Sequence, residues 1–508
     1  MKRRFDILIT ASEAFPAFET EFMNARHEII ASFRIFDPET PLRSERAKVI
    51  GKTWADLITA TLNRGVRITL TISDFDPVVA PRSHIYTWAC VRRLNTAARA
   101  SDNPAFFKAT ASMHPARVGL LPRLLLWPRL VGQLQESLDK AKDELNAELQ
   151  GDERAAPRLL PLAKRKNGKW KARLFPPPPL HPATHHQKIA VFDRTNLYVG
   201  GLDLNDHRYD TVQHDRAAKD TWHDVQMIVD GPVAQEAAEH LESFNAVTQG
   251  FRAQPTKYLL RTLSQRRRFA LPFLSPRKNV QELAEIHLSE ISKSTRLIYL
   301  ESQFLRDRKL AKHLAKQAKR APDLRVIIVL PVAPEEAAFD DTPGSDVAFG
   351  DYLQTKCIQI MRRAFGGRLF IGSPLQPRKV DDDGRATDHD APLVYVHSKV
   401  SIFDDRRAIV SSANLNGRSL GWDSEAGIAT QTPQEVAALT QRCFSNWLGP
   451  NADDACFNLA TAQQAWMSHA YNNARLAPEA RKGFILPHST EAAAEFGYNL
   501  PGVPDEMV

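Results

Sequence analysis

Residues 185–205, HHQKIAVFDRTNLYVGGLDLN, and residues 396–416, VHSKVSIFDDRRAIVSSANLN, align without a gap at an offset of 211. Seven positions are identical: His186/His397, Lys188/Lys399, Phe192/Phe403, Asp193/Asp404, Val199/Val410, Leu204/Leu415 and Asn205/Asn416. Each copy reads as a hairpin. An alternating strand (KIAVF, KVSIF) meets a polar turn (DRTN, DDRR) and then a second apolar strand (LYV, AIV). The chain is therefore read first as an internal repeat.

The similarity extends upstream. Residues 29–36 (IIASFRIF) and 297–305 (LIYLESQFL) look like strands that follow amphipathic helices, and each is followed by a helical stretch and a further strand, 67–73 (RITLTIS) and 325–330 (RVIIVL). Strands alternating with helices predict α/β halves, each with a mixed sheet flanked by helices. The boundary is expected near residues 246–257, after a helix at 233–244. This gives a first half at 1–250, a second at 258–450, and a tail at 451–508. Residues 115–180 read as an insertion in the first half. It carries an apolar-basic run at 118–134, a charged helix near 136–149, a basic run at 164–173 and a proline spacer at 176–179. The run at 118–134, with Trp127 and Arg117, Arg123 and Arg129, suits either a helix lying in a lipid headgroup layer or a buried helical insertion broken by Pro122 and Pro128. Residues 340–351 and 380–390 read as acidic, glycine-containing loops.

Composition bounds the alternatives. At 508 residues with 43% apolar and 25% charged side chains, the chain is an ordinary globular protein rather than a disordered or fibrous one. Lys and Arg number 67 against 59 Asp and Glu, a net charge of +8, which permits an anionic partner without demanding one. The four cysteines, Cys90, Cys357, Cys443 and Cys456, form no C-x-x-C pair, so neither a zinc knuckle nor a disulfide framework is expected. No run is apolar and long enough to span a membrane, and the N-terminus does not read as a secretory signal because Asp6 interrupts its short apolar patch. The expected location is cytoplasmic and peripheral to a membrane, or outside the cell by a non-classical route.

The repeated unit carries the chemistry. Both copies read H-x-K-x-x-x-x-D: His186, Lys188 and Asp193, then His397, Lys399 and Asp404. Residues i and i+2 of a strand share a face, so each His and its Lys point into one site. An imidazole beside an ammonium suits phosphoryl chemistry, one as nucleophile or acid and the other as a fixed charge for the nonbridging oxygens. Two copies supply two pairs. Asp193 and Asp404 belong to the motif and are included with the catalytic set, although a place five residues past the Lys, beside a turn, suits bracing of the turn or of the contact between halves. His181, His185, His214 and His223 match no ligand spacing, so no metal is expected.

The double motif resembles the phospholipase D superfamily. GGLDLNDHRYDT and TWHDVQMIVDGP after the first motif, IYLESQFL before the second and SSANLNGRSLGWDSE after it are similar to segments of the eukaryotic-type enzymes. Ser302 stands where that family usually has Asn. The resemblance implies two αβαβα-like sandwich halves about a pseudo-two-fold axis, with the active site at their interface and no cofactor. It implies His186 as the nucleophile that forms a phosphohistidine, His397 as acid and base, and Lys188 and Lys399 on the phosphate oxygens. Asn414 and Asp203 each lie 17 residues past the motif His. An Asn amide donates to a phosphate oxygen and an ionised Asp cannot, so Asn414, with Ser412 beside it, is the expected phosphate ligand. Asp203 is a substrate-side residue in a weaker sense, and Gln303 lines the site by resemblance. Asp224 and Glu425 are the expected acceptors for the second imidazole nitrogens, with Glu425 placed near His397 to raise its pKa. The expected reaction is hydrolysis of a glycerophospholipid such as phosphatidylcholine to phosphatidic acid and choline. A phosphatidyltransferase of the cardiolipin synthase kind and a nuclease of the same superfamily are the alternatives. The expected partners are a phospholipid surface and water or an alcohol as acceptor, with no nucleic acid, for a monomer of two pseudo-symmetric halves.

Overall fold

The computed structural model describes residues 3–149, 155–339, 344–380, 384–450 and 452–508. Parts of both acidic loops, 340–343 and 381–383, lie outside these residues.

The repeated hairpin lies inside a sheet in each half, where its strands are buried on both faces, which is why it reads as nearly continuous apolar sequence. Seven strands form the first sheet: β1 (Phe5–Ile9), β2 (Glu28–Phe33), β3 (Arg67–Ser73), β4 (Phe107–Ser112), β5 (Ile189–Phe192), β6 (Asn196–Gly200) and β7 (Val225–Asp230). Their order is β1-β7-β6-β5-β2-β3-β4, with β2, β3 and β4 parallel and every other neighbour antiparallel. Nine form the second: β8 (Leu259–Gln265), β9 (Arg277–Gln281), β10 (Leu297–Ser302), β11 (Arg325–Val329), β12 (Leu369–Pro374), β13 (Lys399–Phe403), β14 (Arg407–Ser411), β15 (Glu425–Thr430) and β16 (Ile485–Pro487). Their order, β9-β8-β15-β14-β13-β10-β11-β12-β16, is the first order displaced by one repeat, with a strand added at each edge. Even the hairpin register repeats: Ile189 pairs with Val199, and Val400 with Val410.

The two sheets share one core. Ile189, Val191, Val199 and Met227 meet Val400, Ile402, Val410 and Ile428, together with Phe244 of helix Pro232–Gln249 and Phe444 and Trp447 of helix Pro433–Leu448. Helices Thr10–Asn24 and Trp54–Asn63 cover the outer face of the first sheet. Arg308–Arg320 and Ser345–Phe365 cover that of the second. The architecture is α/β with two mixed sheets flanked by helices.

The structure revises the sequence reading in three places. The helix expected at 233–244 runs to Gln249 and ends on Gly250 in the left-handed region, φ +113°, a conformation that favours glycine. Residues 452–508, unplaced by the sequence, pack on the second half: β16 pairs with β12, and Trp466 is buried against Tyr299 and Phe444. A three-residue strand ending in Pro487 leaves too short a pattern to read. Pro122 and Pro128 do not break the insertion, where one helix runs Leu120–Lys140. Pro122 falls in the first turn, whose N–H groups lack intrahelical partners anyway, and Pro128 is carried inside the helix. The basic run folds into the hairpin Ala163–Lys166 and Lys169–Ala172, turning at Asn167 and Gly168, both at positive φ. That Asn-Gly dipeptide is a strong hairpin signal.

Candidate active site

The site forms where the C-terminal ends of the parallel strands meet the start of each repeated hairpin. Ser32 of β2 pairs with Ile189 of β5, and Ser302 of β10 with Lys399 of β13. This brings His186 and Lys188 beside the end of β2, and His397 and Lys399 beside the end of β10.

Short parallel bridges then tie each motif to the other half. His185 pairs with Ser424, and the His186 N–H donates to the Ser424 carbonyl at 2.9 Å. His223 pairs with Val396, and the His397 N–H donates to the His223 carbonyl at 2.8 Å. On both sides the next residue is the carboxylate. His186 Nδ1 lies 2.9 Å from Glu425 Oε1, and His397 Nδ1 lies 2.6 Å from Asp224 Oδ2. The carboxylates are therefore exchanged between halves. The expectation that Glu425 serves His397 is corrected: Glu425 serves His186, and Asp224 serves His397. The backbone bridges fix this, because Glu425 follows Ser424, which lies against the first motif. An Nδ1–H held by a carboxylate leaves Nε2 as the nitrogen that meets substrate, and no described residue hydrogen-bonds either Nε2.

The lysines complete a buried cationic cluster. Lys188 Nζ donates to the His186 carbonyl at 2.6 Å and lies 3.7 Å from Asp203 Oδ2. Lys399 Nζ donates to the His397 carbonyl. It also stands 2.9 Å from His397 Nδ1, but a proton on that nitrogen is committed to the shorter contact with Asp224. Burial dominates the electrostatics. It lowers the Lys399 ammonium to about 7 and also lowers Lys188. It drives both motif imidazoliums well below their ordinary range, helped for His186 by Lys188, Arg34 and Lys399, and for His397 by Lys399, Arg208 and Lys188. Burial raises Glu425 to about 8 and Asp224 to about 6, each against the pull of nearby lysines. A phosphodiester charge beside the cluster would favour the charged forms of its imidazoles and lysines against the effect of burial.

Other expected residues fall differently. Asp193 and Asp404 stand at the far ends of their strands, away from the imidazoles, and are not in the site. Asp193 accepts from the N–H groups of Arg26, His27 and Glu28, and Asp404 from those of Thr295, Arg296 and Leu297. Each braces the entry to the neighbouring strand of its own half, from a left-handed turn position. Ser412 Oγ donates to Glu425 Oε2 at 2.5 Å, so it orients a carboxylate instead of facing phosphate. Asp203 accepts from the Ile35 N–H at 2.9 Å and faces Lys188, which assigns it to the lysine. Asn414 Nδ2 donates to Gln303 Oε1 at 3.0 Å, and Gln303 Nε2 donates to the Tyr395 hydroxyl at 2.7 Å. These two line the site as a linked pair. The four histidines considered for metal are bonded apart, His181 to the His114 carbonyl, His185 to Ser424, His214 to Asp210 and His223 to Glu301. No group of three potential ligands converges among the described residues.

Two further residues bear on the site. Trp222 lies under His397, ring centres 4.6 Å apart, and the Arg208 guanidinium stacks on the same indole at 3.5 Å. Arg208 is buried, and its Nε and Nη1 have no hydrogen-bond partner. Arg208 Nη1 also lies 3.8 Å from Glu335 Oε2, so part of its charge is already paired. The signal was present in TWHD and HRYD, but nothing in either segment announces that their side chains stack.

The chain is similar to known proteins over parts of its length. The family described as "Cardiolipin synthase, PLD-like domain" matches residues 287–447. Phospholipase D alpha 3 of Arabidopsis thaliana is 22% identical over 430 residues, 60% of this chain and 51% of that protein. Phospholipase D1 of Schizosaccharomyces pombe is 23% identical over 349 residues, 48% of this chain and 24% of that protein. The chain thus spans about half the length of the first and a quarter of the second. The solved structure of a phosphatidylserine synthase from Haemophilus influenzae superposes with a TM-score of 0.49 at 13% identity, covering 87% of this chain and 85% of that one.

Proposed function

Since the chain belongs to the phospholipase D superfamily, we propose that it hydrolyses the distal phosphodiester of a glycerophospholipid such as phosphatidylcholine, releasing phosphatidic acid and the head group. The observation that supports this most is the exchanged pairing: two His–Lys pairs, each imidazole held through Nδ1 by a carboxylate of the other half.

His186 Nε2 attacks phosphorus in line, and the bond to the head-group oxygen breaks. The His397 Nε2 proton passes to that leaving oxygen. The phosphatidyl group is now bonded to His186, and His397 is neutral. His397 then takes a proton from water as the water oxygen attacks phosphorus, and the P–N bond electrons return to His186. Lys188, Lys399 and Asn414 hold the nonbridging oxygens throughout, where charge builds up. Asp224, lowest in pKa of the two carboxyls, is ionised near neutral pH and favours the imidazolium on His397. Glu425 orients His186 as a neutral nucleophile. No cofactor enters this scheme. The proposed setting is a phospholipid surface. No described helix is long and apolar enough to cross a membrane.

The second reading is phosphatidyl transfer, favoured by the family description over residues 287–447. Any alcohol that replaces water in the second step gives it. Purified protein with phosphatidylcholine vesicles, with and without added phosphatidylglycerol or glycerol, separates the two by choline release against new phospholipid. Duplex DNA in a parallel reaction tests the nuclease alternative. Absence of choline release, with nucleotide release instead, overturns the lipid reading.

A further inference from the structure

Among the described residues, the insertion holds the largest run of exposed large apolar side chains. Helix Leu120–Lys140 buries Leu134 and Leu138 against Val78 and Ile85, but its first half faces outward, with Leu121 48%, Leu124 44% and Leu125 84% exposed. Phe175 (66% exposed) adjoins this half: its ring lies 4.4 Å from that of Trp127, whose Nε1–H donates to the Leu174 carbonyl at 2.8 Å. Phe269 (65% exposed) enters from the second half, because the Leu121 N–H donates to the Leu271 carbonyl at 3.1 Å and the Gly119 N–H to that of Phe273 at 2.8 Å. Three separate segments therefore build one apolar surface, and a patch of this kind on a soluble protein marks a contact site.

The charge around it is one-sided. Residues 115–180 carry thirteen Lys and Arg against seven Asp and Glu, so +6 of the chain's +8 resides in the insertion. The hairpin Ala163–Ala172 exposes Lys164, Arg165, Lys166, Lys169 and Lys171 and runs straight into Leu174 and Phe175. In the second half Arg266, Arg267 and Arg268 precede Phe269.

We propose that this surface docks the protein on an anionic phospholipid membrane, with the leucines and Phe175 entering the headgroup layer and the cationic hairpin lying on the lipid phosphates. Apolar side chains ringed by Lys and Arg are the pattern that partitions into an anionic interface. A second copy of this chain would bring the same positive charge against itself. The placement serves the site, since the insertion leaves the first sheet after Ser112 and returns immediately before His186, and Arg129 Nη2 donates to Ser345 Oγ of the second half at 3.0 Å. The proposal rests on the phospholipid reading for its purpose, but binding is measured apart from catalysis.

The full chain is sedimented with vesicles of phosphatidylcholine, and of phosphatidylcholine with phosphatidylglycerol, beside its L125E/F175E and K164E/K166E variants. Cleavage of soluble bis(p-nitrophenyl) phosphate and thermal melting are followed in parallel. Wild-type protein is expected to prefer the anionic vesicles. The apolar double variant should bind them at least about tenfold more weakly, and the charge variant should lose the preference, with melting and soluble-diester cleavage unchanged in both. If L125E/F175E fails to fold, Leu125→Trp replaces it, and its emission must shift to the blue on anionic vesicles. Equal sedimentation of all three proteins, an unshifted Trp emission, or a concentration-dependent dimer abolished by L125E/F175E would overturn the proposal. Vesicle binding without choline release would leave docking standing and remove the phospholipase reading.

Discussion

Glu425 accepts from His186, a residue 239 positions earlier in the chain and in the other half of the molecule, at 2.9 Å. Asp224 and His397 make the reciprocal contact at 2.6 Å. Neither half therefore owns a complete His–carboxylate pair, and the chemistry depends on the two halves being joined.

The exchange predicts which step each carboxylate controls. Glu425→Gln should slow formation of the phosphohistidine for every leaving group, because it disturbs the nucleophile. Asp224→Asn should slow release of a choline-like alcohol much more than release of nitrophenol, which needs no proton. Losses of about 10²-fold or more are expected, on the scale of a misoriented imidazole. Rapid quenching with labelled substrate reads the two steps. The opposite pattern of leaving-group sensitivity would exchange the roles of His186 and His397.

Lys188→Ala and Lys399→Ala should each lower kcat by about 10²–10³, comparable to losing an oxyanion donor. Activity should survive dialysis against a chelator, because the buried ammoniums already supply the positive charge that a metal would bring. Steady-state rates before and after dialysis check this, and a loss that zinc alone restores would contradict it.

Asp193→Asn and Asp404→Asn act on stability, not chemistry. Each acid receives three backbone N–H groups that precede a sheet strand. Losing one side-chain oxygen acceptor should cost about 1–3 kcal/mol, seen as a lower urea midpoint, while the folded fraction keeps the wild-type kcat/KM. A drop in kcat without a shift in midpoint would place these residues in the site after all.

Buried histidines set the acid limb of stability. Burial lowers His185 and His240 to about 3 and His488 to about 4, against 6.5 for an exposed imidazole. The unfolded chain takes up these protons first, so the stability present above pH 6.5 is lost as pH falls towards 4. Each group contributes about 2 kcal/mol of that loss by pH 5. Urea midpoints between pH 7 and pH 5 should fall steeply in the wild type. His240→Gln, which keeps a donor towards Gln187, should flatten the slope, and an unchanged slope would mean that His240 titrates normally.

The repeat made much of this protein legible. Residues 186–205 and 397–416 carry the same seven identities and the same strand period, and in the structure they form hairpins in the same register at the same place in each sheet. Asp224 and Glu425 were recognisable as imidazole partners, but not which imidazole each one serves. The place of the C-terminal residues and the unbroken helix through Pro128 were not legible for a different reason: a three-residue edge strand and a helix carrying an internal proline are held by tertiary packing and leave weak local patterns.

The sequence by itself determined that there are two copies of one α/β unit, that each brings a His and a Lys on one face of a strand, and that the pairs are fit for a phosphodiester. These depend on a period of two and on residue type, both local properties. Only the tertiary structure decided that the carboxylates cross between halves, that Ser412 and Asp203 serve Glu425 and Lys188, and that Arg208 stands on Trp222 beside His397. These depend on contacts between residues far apart in the chain and on burial that shifts the two motif imidazoles, both lysines, Asp224 and Glu425. Both arise only once the two sheets close on their common core.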